Sequence, residues 1–411
     1  VSKTLKPSDA VEWQTPQGKT SGTVKKKLTS KAKIKSHVVA ASKNDPPYLV
    51  ESENEARSPR ISRPLKLGFA VKVVGAAGLK SNDSRRSQQK PHLRVSLRYL
   101  DKIFDHLEAS DIRMYRLSSD LAPYVTHPDM PQFHSQIEEC ADELKALGRR
   151  ARKLRLRLSF HPSQFIVLNS PDPVLVQKSI ADLAAQTEML DRMELDREAV
   201  VVVHAGGSYG DRDSGCARWI ETYKLLSPAI RRRLVLENDD QRYSAANVLK
   251  IHDATGVPLI FDHQHFWCLN PEQLELVPTV ERFMKSWPTG VRPKIHFSSP
   301  RTELRQLKRK VRNSRKKTIV LQPPVWSGHA DFCQPFEFIT MMRSFERLEF
   351  DVMLEAKSKD LALVRLRRDL QRYAPDVAKR FGLATAAEIP DEPATIAIAQ
   401  PDDEAEASRL P

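Results

Sequence analysis

Histidines and carboxylates recur at one kind of place along this chain, directly after a short apolar run. His161 follows 156–160 (LRLSF), His204 follows 200–203 (VVVV), and Glu237, Asn238, Asp239 and Asp240 follow 234–236 (LVL). Asp262, His263 and His265 come after 259–261 (LIF), and Glu355 and Lys357 after 352–354 (VML). Lys294 and His296 lie two apart within 294–297 (KIHF), so an extended segment turns both to one side. One histidine at such a position is usually a satisfied polar residue. A series of them, converging on one point, is a ligand set. Histidines and carboxylates without thiolates suit borderline divalent ions such as Zn²⁺, Mn²⁺ or Fe²⁺. The donors are more than one ion needs, which points to two or three ions with carboxylates such as Glu237 bridging. Clustered ions suit phosphodiester hydrolysis, because they neutralise phosphate, acidify a bound water and stabilise the departing oxygen.

Convergence requires a scaffold. The strand-like runs are 67–71, 114–118, 156–160, 200–203, 234–236, 259–261, 294–297 and 352–354. Amphipathic, helix-like stretches alternate with them at 97–107, 133–147, 174–190, 217–226, 245–254, 271–283, 336–345 and 361–373. Eight strands, each followed by a helix, predict a closed (β/α)₈ TIM barrel, whose functional residues gather at the C-terminal strand ends. No GxGxxG follows the first run, which argues against a doubly wound dinucleotide-binding sheet.

Composition narrows the class. No run of about 18 apolar residues suggests a membrane span, and the Lys- and Ser-rich start lacks the apolar segment of a secretory signal. Cys140, Cys216, Cys268 and Cys333 are far apart and form no CxxC, so neither a zinc finger nor a disulfide framework is expected. The net charge is +14, with +6 in residues 1–60, −5 in 375–411 and +13 between them. A basic core favours a polyanionic partner, nucleic acid above all. Residues 1–63 are predicted to be a basic extension without regular structure, 64–382 the barrel, and 383–411 a disordered acidic tail.

The motifs together resemble the ultraviolet-damage endonuclease family: HPSQF at 161–165, VVVHAGG at 201–207, LEND at 236–239, FDHQH at 261–265, KIHFSSPR at 294–301 and MLEAKSKDLA at 353–362, with SSDLAP and THP at 126–128 in support. The resemblance covers about 65–372. It implies a TIM barrel similar to endonuclease IV that cuts damaged double-stranded DNA on the 5′ side of ultraviolet photoproducts, with a metal cluster usually associated with Mn²⁺. It implies His161, His204, Glu237, Asp262, His265, His296, His329 and Glu355 as metal ligands, His329 lying in a GHAD segment at 328–331. Lys294 matches a lysine that the family can carry as a carbamate; unmodified, it could hold the phosphate. Glu237 and Lys294 are therefore expected at the reaction, with His127 assisting protonation. Gln164 and Phe165 match a Gln–aromatic pair that probes the duplex at the lesion. On chemistry alone, an aromatic can fill the gap left by extruded bases and a glutamine can hydrogen-bond their orphaned partners, although Phe165 could equally pack under the next helix. A monomer is expected, at the nucleoid of a bacterium or in the nucleus of a eukaryote.

Two features depart from the family pattern. Phe69 stands where the family often has Tyr, and the span from His296 to His329 is longer than expected. Within it, 301–317 hold nine Lys/Arg and one acid. This helix-compatible basic segment, beginning at Arg301, is expected to track DNA phosphates. Three other activities fit the same scaffold: an abasic-site endonuclease, a metal-dependent sugar isomerase and a non-catalytic damage-binding barrel. A sugar isomerase has no use for the basic core.

Overall fold

The structure, a computed structural model, describes residues 63–310 and 317–384 in full, together with strands between 10 and 52. Eight parallel strands close into a barrel. Seven come in succession: β1 (Leu67–Ala70), β2 (Met114–Arg116), β3 (Arg157–Phe160), β4 (Val200–His204), β5 (Leu234–Glu237), β6 (Leu259–Asp262) and β7 (Lys294–Phe297). Four short strands then form an excursion, β8 (Pro300–Arg301), β9 (Arg305–Lys310), β10 (Lys317–Gln322) and β11 (Val325–His329), before β12 (Asp351–Leu354) closes the barrel against β1. The predicted TIM barrel is thus the observed fold, each of the eight runs becoming one of its strands.

Helices α1 (Leu93–Ala109), α2 (Gln136–Glu139), α3 (Ala141–Lys153), α4 (Pro173–Arg192), α5 (Arg212–Leu225) and α6 (Pro228–Arg233) cover the first half of the barrel. The second half carries α7 (Ala245–Thr255), α8 (His263–Cys268), α9 (Leu276–Lys285), α10 (Pro335–Ser344), α11 (Lys359–Tyr373) and α12 (Pro375–Arg380). Local chemistry sets their ends. Ser244 and Asn247 form a capping box at α7, and Gly256, at φ 73°, ends it. Two predicted helices change shape. The 133–147 stretch breaks at Cys140 into α2 and α3, and buried Gln136 spends its amide on the carbonyls of Pro123 and Phe133. The 271–283 stretch becomes helical only from Leu276, because Asn270 clamps both backbone groups of Leu274 into a loop.

Two cores result. The larger fills the layer between strands and helices, and includes Phe69, whose ring packs edge-on against Tyr115 at 5.3 Å. The smaller is a plug inside the barrel made of Val200, Val202, Val235, Ile260 and Trp287. Below the plug lies a buried ion pair, Arg157 to Asp351 at 2.9 Å. Arg157 also donates to the carbonyls of Glu198 and Pro293, while Asp351 accepts from the Lys66 amide at 2.8 Å. The pair ties β3 to β12 across the barrel floor.

Of the 301–317 segment, expected to be helix-compatible, the described residues 305–310 and 317 are instead in an antiparallel ribbon of β9 and β10, registered Arg305 to Gln322 through Lys310 to Lys317. The reason lies downstream: Thr318, Ile319 and Val320 are β-branched and pair across from Arg309, Lys308 and Leu307. The N-terminal unit, Val1–Arg63, is compact in its own right. Composition predicts no regular structure there, yet Ala10–Thr15, Gly18–Lys27 and Tyr48–Ser52 form a three-stranded antiparallel sheet, and Ala32–Ile34 pairs with His37–Val39. Its β-branched residues, Val11, Thr15, Thr20, Thr23 and Val24 among them, outweigh the lysine content. The acidic tail lies outside the described residues. Among the described residues no helix is long and apolar enough to cross a membrane.

Removing one member of a buried ion pair strands the other. Arg157→Met is expected to cost about 3–5 kcal/mol, and the Arg157→Met/Asp351→Asn double variant to recover most of that loss. Urea titration reads this as a lowered midpoint at constant slope; an unchanged midpoint in the single variant would contradict the role given to the pair.

Candidate metal centre

The C-terminal mouth of the barrel is organised around Glu237, the last residue of β5, which is fully buried. Its Oε2 lies 3.0 Å from His161 Nε2 and 3.8 Å from His204 Nε2. Its Oε1 lies 2.6 Å from His296 Nδ1 and 4.0 Å from His265 Nδ1. Glu355 adjoins this group, 3.3 Å from His296 Nδ1 and 3.7 Å from His329 Nε2, and Asp262 lies 3.7 Å from His265. All eight residues expected as ligands therefore meet in one connected cluster. Within it, His161, Glu237, His296 and Glu355 form one group compact enough for an ion, and Glu237, Asp262 and His265 a second. Glu237 belongs to both, the position of a bridging carboxylate.

Secondary structure explains the spacings. Asp262 ends β6 and is the N-cap of α8, accepting from the His265 amide at 2.8 Å. The cap pins the third residue of the helix beside the capping carboxylate, which is why Asp-x-x-His brings both side chains to one place. His263 points away, packing on Phe297 and accepting a hydrogen bond from the Trp267 indole at 3.2 Å. After β4, Gly206 takes φ 108°, and a Cβ there would sit 2.4 Å from Asn169 Oδ1. Only glycine lets the chain turn that closely past His204.

The outer nitrogens of three histidines are engaged: His161 Nδ1 with the Pro162 carbonyl at 3.1 Å, His265 Nδ1 with the Asn238 carbonyl at 3.0 Å, and His329 Nδ1 with Ser298 Oγ at 2.6 Å. A donated Nδ1–H leaves Nε2 with its lone pair free, the usual arrangement of a metal-ligating histidine. Asn238 also grips the Asp262 backbone on both sides, at 2.9 and 3.1 Å. Ser298 donates to Gln264, whose amide holds the carbonyls of Trp326 and Gly328 and so places the strand carrying His329.

The charges are not balanced by protein alone. His204 Nδ1, Asp262 Oδ2 and Lys294 Nζ are buried without hydrogen-bond partners, a cost a native interior rarely leaves unmet. The donor set and these orphaned atoms both fit divalent ions. Burial raises the Asp262 carboxyl to about 6, helped by the Glu237 and Glu355 charges. Burial depresses His265, but the Asp262, Glu237 and Glu355 carboxylates outweigh it and lift the imidazole to about 9. Burial, with the Arg116 charge assisting, lowers His296 to about 3. Burial also holds Lys294 well below the usual lysine range, reinforced by Arg116 and Arg157.

Sequence reasoning missed Arg116. It ends β2 facing the barrel interior, 2.5 Å from Glu355 and 3.0 Å from His296 Nε2. An arginine inside an otherwise apolar strand was the available signal. Also missed was a cleft of about 780 Å³ walled by Trp267 and Trp326, both more than half exposed, with Gln241 and Gln264 in its lining. Gln164 and Phe165 stand on the turn after β3, held by Ser163. Phe165 is 72% exposed, so it does not pack under the next helix. Two expected residues are placed elsewhere. Arg301 is buried and donates to Gln322 and the Pro323 carbonyl, so it anchors the ribbon rather than facing DNA. His127 has only local partners, Asp129, His134 and Tyr124, and lines a different cleft with Asp182 and Lys178.

The fold and site together define a (β/α)₈ barrel protein with a His/carboxylate cluster at its C-terminal mouth. The model of the UV-endonuclease UvdE family matches residues 70–383, and this chain belongs to that family; it is an endonuclease. The UV DNA damage endonuclease of Bacillus velezensis is 32% identical over 291 residues, 70% of this chain and 83% of that one. The enzyme of the same name from Bacillus pumilus is 32% identical over 283 residues, 67% of this chain and 79% of its own. The crystal structure of SacUVDE superposes with a TM-score of 0.61 at 24% identity, covering 75% of this chain and 98% of that one, and so shares the fold. Residues 9–58 match a second model, the TUDOR domain of hypervirulence associated proteins.

Because His265 carries a proton below about pH 9, an ion taken up here must displace it. Apparent affinity for Mn²⁺ is expected to rise about tenfold per pH unit from 7 to 8 for one displaced proton. Calorimetry in buffers of different ionisation enthalpy reads the release as about one proton; a pH-independent affinity would contradict the protonation state given to His265.

Proposed function

We propose that this endonuclease is metal-dependent and incises duplex DNA on the 5′ side of ultraviolet photoproducts, pyrimidine dimers and 6–4 photoproducts among them. The observation that carries the metal dependence is the gathering of seven further donor residues around one buried glutamate, Glu237. His161, His204, Glu237, Asp262, His265, His296, His329 and Glu355 would hold two or three divalent ions, Mn²⁺ first among the candidates. Bound there, such ions supply phosphate neutralisation and an acidified water.

The chain's own residues do the rest. Glu237 is shared by both groups, its Oε2 beside His161 and its Oε1 beside His296 and His265. Arg116 neutralises Glu355 and steadies His296, which keeps the ring from turning. Lys294 contributes a buried amine whose ammonium form burial, Arg116 and Arg157 disfavour. Addition of carbon dioxide at Nζ with release of a proton would give a carbamate, whose negative charge would answer the Arg116 and Arg157 charges. Gln164 and Phe165, exposed beside His161, are placed to probe the stack. A crosslinked pyrimidine pair stacks poorly and costs less to extrude than intact bases, so selectivity for damage needs no base-specific readout. Exposed Phe165 fills the gap and Gln164 hydrogen-bonds the bases left unpaired.

End-labelled duplex, ultraviolet-irradiated or carrying an abasic site, tests this reading with Mn²⁺ and with chelator. Cleavage 5′ to dimers, abolished by chelation, is expected; cutting confined to abasic duplex would overturn the substrate assignment. Glu237→Ala and His161→Ala are expected to lose both activity and metal content. Gln164→Ala/Phe165→Ala should keep its metal. One stacked aromatic is worth about 1–3 kcal/mol, so that variant's preference for damaged over undamaged duplex should fall roughly ten- to hundredfold. Equal loss of metal in the double variant would refute the probing role.

A further inference from the structure

We propose that the β9–β10 ribbon is a second DNA-binding element, lying along the intact duplex that flanks the lesion, on the far side of the metal centre from Gln164 and Phe165. The inference rests on the DNA-cutting reading above.

Barrel order supplies the first argument. The strands run β5-β6-β7-β12-β1-β2-β3-β4 around the barrel, so β3 and β7 are diametrically opposite. The probing turn leaves β3, and the excursion bearing the ribbon leaves β7. The base of that excursion is stapled to the centre, since β8 pairs with β11 at Pro300 to His329 and Arg301 to Val325. A duplex probed at Phe165 and crossing the centre therefore runs towards the ribbon.

The ribbon's chemistry supplies the second. Of the nine basic residues in 301–317, Arg301 is buried on Gln322 and Arg305 is spent on Asp331 at 3.0 Å. Lys308 and Arg309 are exposed and have no ion-pair partner among the described residues. Register puts Lys308 opposite Ile319 and Gln306 opposite Leu321, so these four share one face. Ile319 and Leu321 are 61% and 60% exposed on it. A two-stranded ribbon otherwise avoids such residues, because an edge with exposed apolar side chains invites aggregation. Cationic and apolar groups together match a duplex, which offers phosphate rows beside sugars and base edges. The major groove is wide enough to admit a two-stranded ribbon. The lone acid of the segment, Glu303, precedes the ribbon and leaves this charge complementarity intact.

The test uses the full chain with Lys308→Ala and, separately, Ile319→Ser/Leu321→Ser, none of which touches the metal centre. Binding to undamaged duplex is followed across a salt series, and incision of irradiated duplexes across a series of flank lengths. Lys308 should account for one phosphate contact on that face, so its loss lowers the slope of log K against log salt by about 0.9 and raises KM with kcat unchanged. The apolar pair should weaken binding with the slope unchanged. Trimming one flank should weaken the wild type and leave the basic variant indifferent. If folded variants keep the wild-type slope and flank dependence, the ribbon is not a DNA element, and a protein partner becomes the better reading of its exposed face. Loss of incision is a separate outcome: a wild type that binds DNA through the ribbon yet cuts no damaged duplex overturns the proposed function and leaves the ribbon standing.

Discussion

The structure depends on a carboxylate taken out of water. Glu237 is fully buried at the barrel mouth, and an ionised carboxylate there is tolerable only if hydrogen-bond donors or positive charge answer it. Burial alone would push its proton affinity up. His296, His204 and His161 reverse that, and Glu237 stays ionised well below the usual carboxylate range. The same arrangement leaves other groups in conflict: three carboxylates repel one another across a small space, and lone pairs on His204 and Asp262 find no hydrogen. Cations resolve both problems at once, which is the physical reason to read the cluster as a metal centre rather than a salt-bridge network.

The barrel makes this concentration of charge affordable by layering it. At the floor, Arg157 and Asp351 neutralise each other. Above them the valine, isoleucine and tryptophan plug excludes water. The plug lowers the local dielectric and so strengthens each interaction at the mouth. Lys294 is buried without a hydrogen-bond partner between cationic and anionic neighbours, and burial holds it well below the usual lysine range. Order at the mouth comes from backbone: the Asp262 cap, the Asn238 clamp and the Ser298–Gln264 relay each hold a ligand through main-chain groups, which are stiffer than side-chain contacts alone.

The barrel sets two exposed elements far apart. The turn after β3 carries Gln164 and Phe165 with little packing around them, and it is anchored from beneath by Asn169, which bonds the Gly207 carbonyl and Tyr243. The opposite side carries the Trp267 and Trp326 cleft and the basic ribbon. Most of the candidate metal ligands thus lie on rigid strand ends, while the exposed Gln164, Phe165 and ribbon residues lie on excursions whose chemistry can change without disturbing the cluster.

Much of this was legible in the chain. Period-two apolar runs and 3.6-period helices belong to local geometry, so all eight barrel strands could be read from the residues, and barrel closure makes their ends converge. The ligand candidates followed from that convergence together with the family resemblance, and Asp-x-x-His is itself a local capping geometry. What the sequence could not decide was long-range. Arg116 acts only because β2 lies across the barrel from β7. Arg301 reads as one more basic residue until Gln322 and Pro323 close over it. The 301–317 segment reads as helix until the β-branched strand after it arrives, since pairing, not propensity, selects a ribbon. His127 sits in a matching motif yet keeps only local partners. Residue type and spacing determine which groups are available and where elements begin and end. Which charges face each other, and which stay unanswered, is set by burial and through-space pairing, and only the tertiary structure decides those.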